Sequence, residues 1–172
     1  NGTNTVKLYI PANFKDYAAV ARDIGDIHAR TGLYFRVLHF GGMYFENGSG
    51  NFVFQNPTEP NLRAAEQDVR AFARAMKGLG KAVRIQITNE DDYYATGNMG
   101  GQNPWDTVRF RSLVDYYKFK ARLALAYKQE DSNHLVAFGH GEIQPNQVQA
   151  MKQAGIDAAY DGDSIRSSTD AL

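Results

Sequence analysis

Acidic and imidazole side chains recur in this sequence where short β-branched runs end. Asn13 follows the first run and His39 lies at the end of the second. Asn89-Glu90-Asp91 follows the third, His140-Gly141-Glu142 the fourth, and Asp161-Gly162-Asp163 the fifth. Two carboxylates on one rim are what hydrolysis of a glycosidic bond requires, one protonating the leaving oxygen while the other attacks the sugar or activates water. Glu90 stands out, because alternation along its strand carries Arg84, Gln86, Thr88 and Glu90 to one side. Glu142, from the neighbouring strand, is the second candidate. The same residue types also cap helices and occupy turns, so their presence alone does not make a site. Tyr93, Tyr94 and Trp105 follow Glu90, and Tyr44 and Phe45 follow the preceding strand, so one rim offers flat apolar faces beside polar groups, which suits a sugar ring. His39 and His140 complete the candidate contacts to substrate.

Two other chemistries compete for these residues. His39, His140, Glu142, Asp161 and Asp163 are ligand types that suit zinc or manganese, but no tight spacing such as His-Glu-x-x-His occurs. A nucleotide site would need a glycine loop directly after a strand. Gly97, Gly100 and Gly101 come late after the third strand and lack a lysine.

The elements that must position these residues alternate between strand and helix. Val6 to Ile10 reads as a strand stopped by Pro11. Asn13 is positioned to cap a helix whose apolar face is Phe14, Tyr17, Val20, Ala21, Ile24 and Ile27, closed by Thr31-Gly32. Leu33 to Phe40 is the second strand. Met43 to Glu46 and Asn51 to Gln55 flank a turn-rich tract and read as an excursion hairpin. Pro60 suits the first turn of a helix that Gly78-Leu79-Gly80 ends, and Ala82 to Thr88 is the third strand. A long helix is expected after Asp106, carrying Phe110, Leu113, Tyr117, Leu123 and Tyr127. His134 to His140 makes a fourth strand, Pro145 opens a short helix, and Ile156 to Tyr160 is a fifth strand. This pattern predicts an α/β domain over residues 1–172 with a mainly parallel five-stranded sheet and crossover helices. Two architectures fit: part of a (β/α) barrel, or an open flavodoxin-like sheet. Both place ligands at the carboxyl ends of the strands.

Composition narrows the partners. The 172 residues carry 19 Lys plus Arg against 19 Asp plus Glu, which gives no broad attraction to nucleic acid or an anionic membrane. No apolar run approaches the roughly 18 residues of a membrane span. With no cysteine, thiolate metal sites, disulfides and cysteine nucleophiles are excluded.

Ile85-Gln86-Ile87-Thr88-Asn89-Glu90, then a helix, then Ser132-Asn133-His134-Leu135-Val136-Ala137-Phe138-Gly139, resembles the middle of a clan A glycoside hydrolase barrel of the cellulase and mannanase kind. The resemblance covers roughly residues 60 to 142. It implies that Glu90 is the acid/base and that Asn89 hydrogen-bonds the sugar hydroxyl beside the scissile bond. It also implies an oligo- or polysaccharide substrate, an extracellular setting and no cofactor. No residue matches the family nucleophile, a Glu at the end of the seventh strand, and Asp91 stands where many members have Pro. The chain is therefore expected to be a barrel fragment, its missing strands supplied by a longer parent, or a reduced relative. A non-catalytic carbohydrate-binding or structural protein is the alternative.

Overall fold

The computed structural model describes residues 4–40, 42–46, 52–89, 110–139, 145–156, 158–160 and 169–171; for 44–46, 52–54, 89, 158–160 and 169–171 it describes the backbone alone.

The first strand, β1 (Thr5–Tyr9), leads into a turn in which the Phe14 N–H donates to the Pro11 carbonyl at 2.9 Å. That turn engages the segment containing Asn13, so the helix starts later than expected. Asp16, not Asn13, is its N-cap, accepting from the Ala19 N–H at 3.0 Å, and α1 runs Tyr17–Thr31. Gly32 ends it as expected, with φ 70° and its N–H bonded to the His28 carbonyl. After β2 (Tyr34–His39), the excursion is a two-stranded antiparallel hairpin of β3 (Tyr44–Glu46) and β4 (Phe52–Phe54), as the turn-rich tract suggested.

Helix α2 (Glu59–Met76) has Pro60 in its first turn and buries Ala65, Val69, Phe72, Ala73 and Met76, a three- and four-residue spacing that puts one stripe against the sheet. A 3-10 turn, Lys77–Ala82, leads into β5 (Val83–Asn89). Helix α3 (Leu113–Glu130) begins at a Ser112 cap that accepts from the Asp115 N–H at 3.1 Å. Phe110, expected within this helix, lies just before it and is buried. Then come β6 (Val136–Gly139), α4 (Pro145–Gln153), β7 (Ala158–Tyr160) and β8 (Thr169–Ala171).

Four strands pair in parallel and in chain order, β1-β2-β5-β6. This order lacks the reversal that an open doubly wound sheet needs. The fifth expected strand, β7, does not pair with β6. Strand β8, which carries no apolar alternation to announce it, lies between them and is antiparallel to both. Register and burial give the sheet two different faces. Leu8, Val37, Ile85 and Val136 form one row, and His39, Ile87 and Phe138 the next, all toward the helices. Lys7, Arg36 and Arg84 share a row on the opposite face, followed by Leu38, Gln86 and Ala137.

Salt links fasten α2 to α3. The Arg122 guanidinium bonds Glu66 at 3.0 Å and Glu59 at 3.1 Å, and Arg74 bonds Glu130 at 3.0 Å. At the far end of α3, Asp131 is buried and accepts from the Tyr127 hydroxyl and the Asn133 N–H, both at 3.0 Å, and is held also by His134 Nδ1. The other His134 nitrogen reaches the Gly80 carbonyl at 2.7 Å. His134 thus links the start of β6 to the turn before β5.

Candidate functional site

The helices run back against the parallel strands, so the carboxyl ends of β2, β5 and β6 and the amino ends of α2 and α3 lie at one end of the fold. At that end β2 delivers His39. Its row partners are Ile87 and Phe138, so its ring points into the layer between sheet and helices and stacks on Phe72, with ring centres 4.7 Å apart. His39 is 3% exposed. His39 Nε2 lies 2.9 Å from the Tyr17 hydroxyl and 3.2 Å from Asp68 Oδ2. The Tyr17 hydroxyl donates to Asp68 Oδ1 at 2.9 Å, and Lys15 Nζ bonds Asp68 Oδ2 at 2.8 Å. Because the single Tyr17 proton goes to the carboxylate, the consistent assignment has the His39 Nε2–H as a donor.

The electrostatics follow from this enclosure. Burial is the largest influence on His39 and lowers its pKa, outweighing the Asp68 carboxylate, so the imidazole is neutral near pH 7. Burial works to raise Asp68, but hydrogen bonds from His39 and Lys15 prevail and hold it at about 2. Burial and the Asp68 charge push the Tyr17 hydroxyl well above its ordinary range. Ile10, Pro11, Ala12, Phe40 and Gly42 close over the cluster and leave no room for a water molecule. His39 therefore ties β2 to α1 and α2, while Lys15 and part of Asp68 stay at the surface.

The end of β5 is built differently. The ladder to β6 pairs Ile87 with Phe138 and then Asn89 with Gly139, so Thr88 is an extra residue in a β-bulge. Thr88 has φ 71°, the only positive φ at a non-glycine residue among the described residues, a conformation that costs a β-branched residue about 1–3 kcal/mol. Its Oγ1 accepts from Lys120 Nζ of α3, and its carbonyl accepts from Gln86 Nε2 at 3.0 Å. The expected alternation is thereby corrected. Arg84 and Gln86 occupy the face away from α2 and α3, whereas the Thr88 side chain turns to the helix layer, and the register puts Asn89 back on the face away from α2 and α3 beside Gly139.

Of the residues expected to carry chemistry, Glu90, Tyr93, Tyr94, Trp105, His140 and Glu142 lie outside the described residues, as does the separation of Glu90 from Glu142. Asn89 is placed by its backbone. The structure brings His39 together with Tyr17, Asp68 and Lys15, partners that the sequence reading missed, although Asp68 lies between the apolar positions Ala65 and Val69. Lys120, fully buried within α3, was missed as well. Between the amino ends of α2 and α3 runs a surface cleft of about 390 Å³ lined by Leu62, Phe110, Arg111, Asp115, Lys118 and Arg122 among others. Among the described residues no group of three or more His, Asp or Glu could hold a metal ion, and no helix is long and apolar enough to cross a membrane. Comparison with protein-family models and with curated proteins finds no match to this chain.

Proposed function

We propose that this chain is an arc of a (β/α) barrel acting on an oligo- or polysaccharide, a glycoside hydrolase-like protein whose acid/base is Glu90. The observation that carries this reading is the chain-ordered parallel run β1-β2-β5-β6, with Asn89, next to Glu90 in sequence, at the carboxyl end of its central strand β5. In a barrel that end of the strands holds the substrate. Among the described residues helices pack on one face of these strands, which also favours an arc of barrel over an open doubly wound sheet.

In this mechanism the Glu90 carboxylic acid gives its proton to the glycosidic oxygen as the bond from that oxygen to the anomeric carbon breaks. Glu142 supplies the second carboxylate, attacking the anomeric carbon if the carboxyl groups stand about 5–5.5 Å apart, or activating water if they stand about 6.5–9.5 Å apart. Asn89 and His140 supply hydrogen bonds to the sugar, and Tyr93, Tyr94 and Trp105 supply stacking faces. His39 serves indirectly, by fixing the end of β2.

The test is release of reducing ends from soluble β-glucan and mannan by the full chain and by Glu90→Gln. Loss of about 10²- to 10⁴-fold in kcat with an unchanged thermal midpoint is expected. Equal turnover in both proteins refutes the acid/base role. No turnover in either, with quenching of Trp105 fluorescence by oligosaccharide, points instead to a non-catalytic carbohydrate-binding protein.

A further inference from the structure

A lysine enclosed in a protein interior is costly unless its ammonium has a task. Lys120 lies on the buried face of α3, flanked by Tyr116 and Leu123, and its side chain is completely covered. A leucine or methionine there would fill the same space. The ammonium instead donates to Thr88 Oγ1 and lies 4.9 Å from the Tyr116 ring centre and 5.2 Å from that of Phe138. Among the described residues, two aromatic rings and a hydroxyl thus surround the Lys120 Nζ beside the one backbone position in β5 that a threonine does not adopt unaided.

The bulge decides which way the strand end faces. Without it, alternation puts Asn89 on the helix side with Ile87; with it, Asn89 pairs with Gly139 on the opposite face. Thr88 has the wrong shape for a left-handed residue but the right hydroxyl to meet a lysine, whereas glycine, the usual choice, would offer no such contact.

We propose that Lys120 is a positioning residue. By holding Thr88 in the left-handed conformation, its ammonium sets the face of the sheet on which Asn89 ends β5. The enzymatic consequence rests on the glycoside hydrolase reading above; the backbone consequence does not.

The experiment uses the full chain with Lys120→Met, Thr88→Val, and Lys120→Met combined with Thr88→Gly. NMR couplings and carbon shifts at residue 88 report the sign of φ, and turnover of soluble β-glucan or mannan reports the site. Lys120→Met and Thr88→Val each lose the positive φ, and kcat falls about 10- to 100-fold with KM within about threefold. The double variant, in which glycine adopts the conformation without help, recovers kcat to within about threefold. Retention of positive φ at residue 88 in Lys120→Met overturns the proposal. If that variant does not fold, retention in Thr88→Val does so, because that variant keeps the lysine and removes only its acceptor. A wild-type protein with no turnover refutes the glycosidase reading alone, since the coupling at residue 88 still decides the part played by Lys120.

Discussion

Replacing Asp68 by Asn removes the charge on which Lys15, Tyr17 and His39 converge while keeping the size of the side chain. Asp68 is largely buried, with a side chain 16% exposed, and its pKa is about 2 where an ordinary aspartate titrates near 3.8. At about 1.4 kcal/mol per pH unit, that difference contributes about 2 kcal/mol of stability at neutral pH. Because the folded-state value is the lower one, the contribution is complete above the unfolded value of about 4 and disappears as pH falls through about 2, with about half of it left at pH 3. Urea unfolding followed by tryptophan fluorescence at pH 7, 5, 4 and 3 measures it. The wild-type protein should exceed Asp68→Asn by about 2 kcal/mol at pH 7 and at pH 5, with the gap narrowing to about half at pH 3. A gap below about 0.5 kcal/mol at pH 7, or one that does not narrow on acidification, would refute the reasoning.

Two further predictions test the packing around this cluster. His39 is buried neutral with a lowered pKa, so the unfolded chain takes up a proton below about pH 6.5 that the folded protein refuses, and stability falls as pH drops. His39→Gln should remove that slope, worth at most about 1.4 kcal/mol per pH unit, and identical slopes for wild type and variant between pH 6.5 and 5 would contradict the assignment. Gly42 has φ 71°, and a Cβ there would lie 2.8 Å from the Ala65 Cα of α2, so Gly42→Ala should cost at least about 2 kcal/mol; a thermal midpoint within a degree of wild type would show that the hairpin yields instead.

The sequence was most legible where periodicity speaks directly. The stripe Ala65, Val69, Phe72, Met76 and the alternation Val83, Ile85, Ile87 each predict their element and its buried face, because 3.6-residue and two-residue repeats leave little choice. Cap positions were less legible. Asn13 and Asp16 are equally good caps by type, and only the Pro11–Phe14 turn decides between them. The bulge at Thr88 left no sign, since a β-branched residue in an alternating run is what a regular strand contains. Lys120 resembled a solvated helix residue, because its partner lies 32 positions away. The Asp68 to His39 contact is hidden for the same reason. As to the site, Asn89 was placed correctly at the end of a central parallel strand, whereas His39, read as a rim residue, turned inward because its parity follows Val37 and not Leu38.

Strand β8 has a consequence for the edge it occupies. Two successive antiparallel steps restore direction, so β7 already runs parallel to β6, displaced by two strand spacings or about 10 Å. Three residue pairs hold β8 on either side, which makes this the shortest seam of the sheet. Peeling away β8 would uncover the hydrogen-bonding edge of β6, and any parallel strand of suitable register, β7 included, could take its place without reversing the chain. While β8 is paired, the parallel series stays at four strands and the hydrogen-bonding edge of β6 is covered, which is how sheets keep an edge from pairing with another chain. Hydrogen exchange should accordingly be fastest in β8 and at the outward-facing amides of β6, ahead of β2 and β5 at the centre.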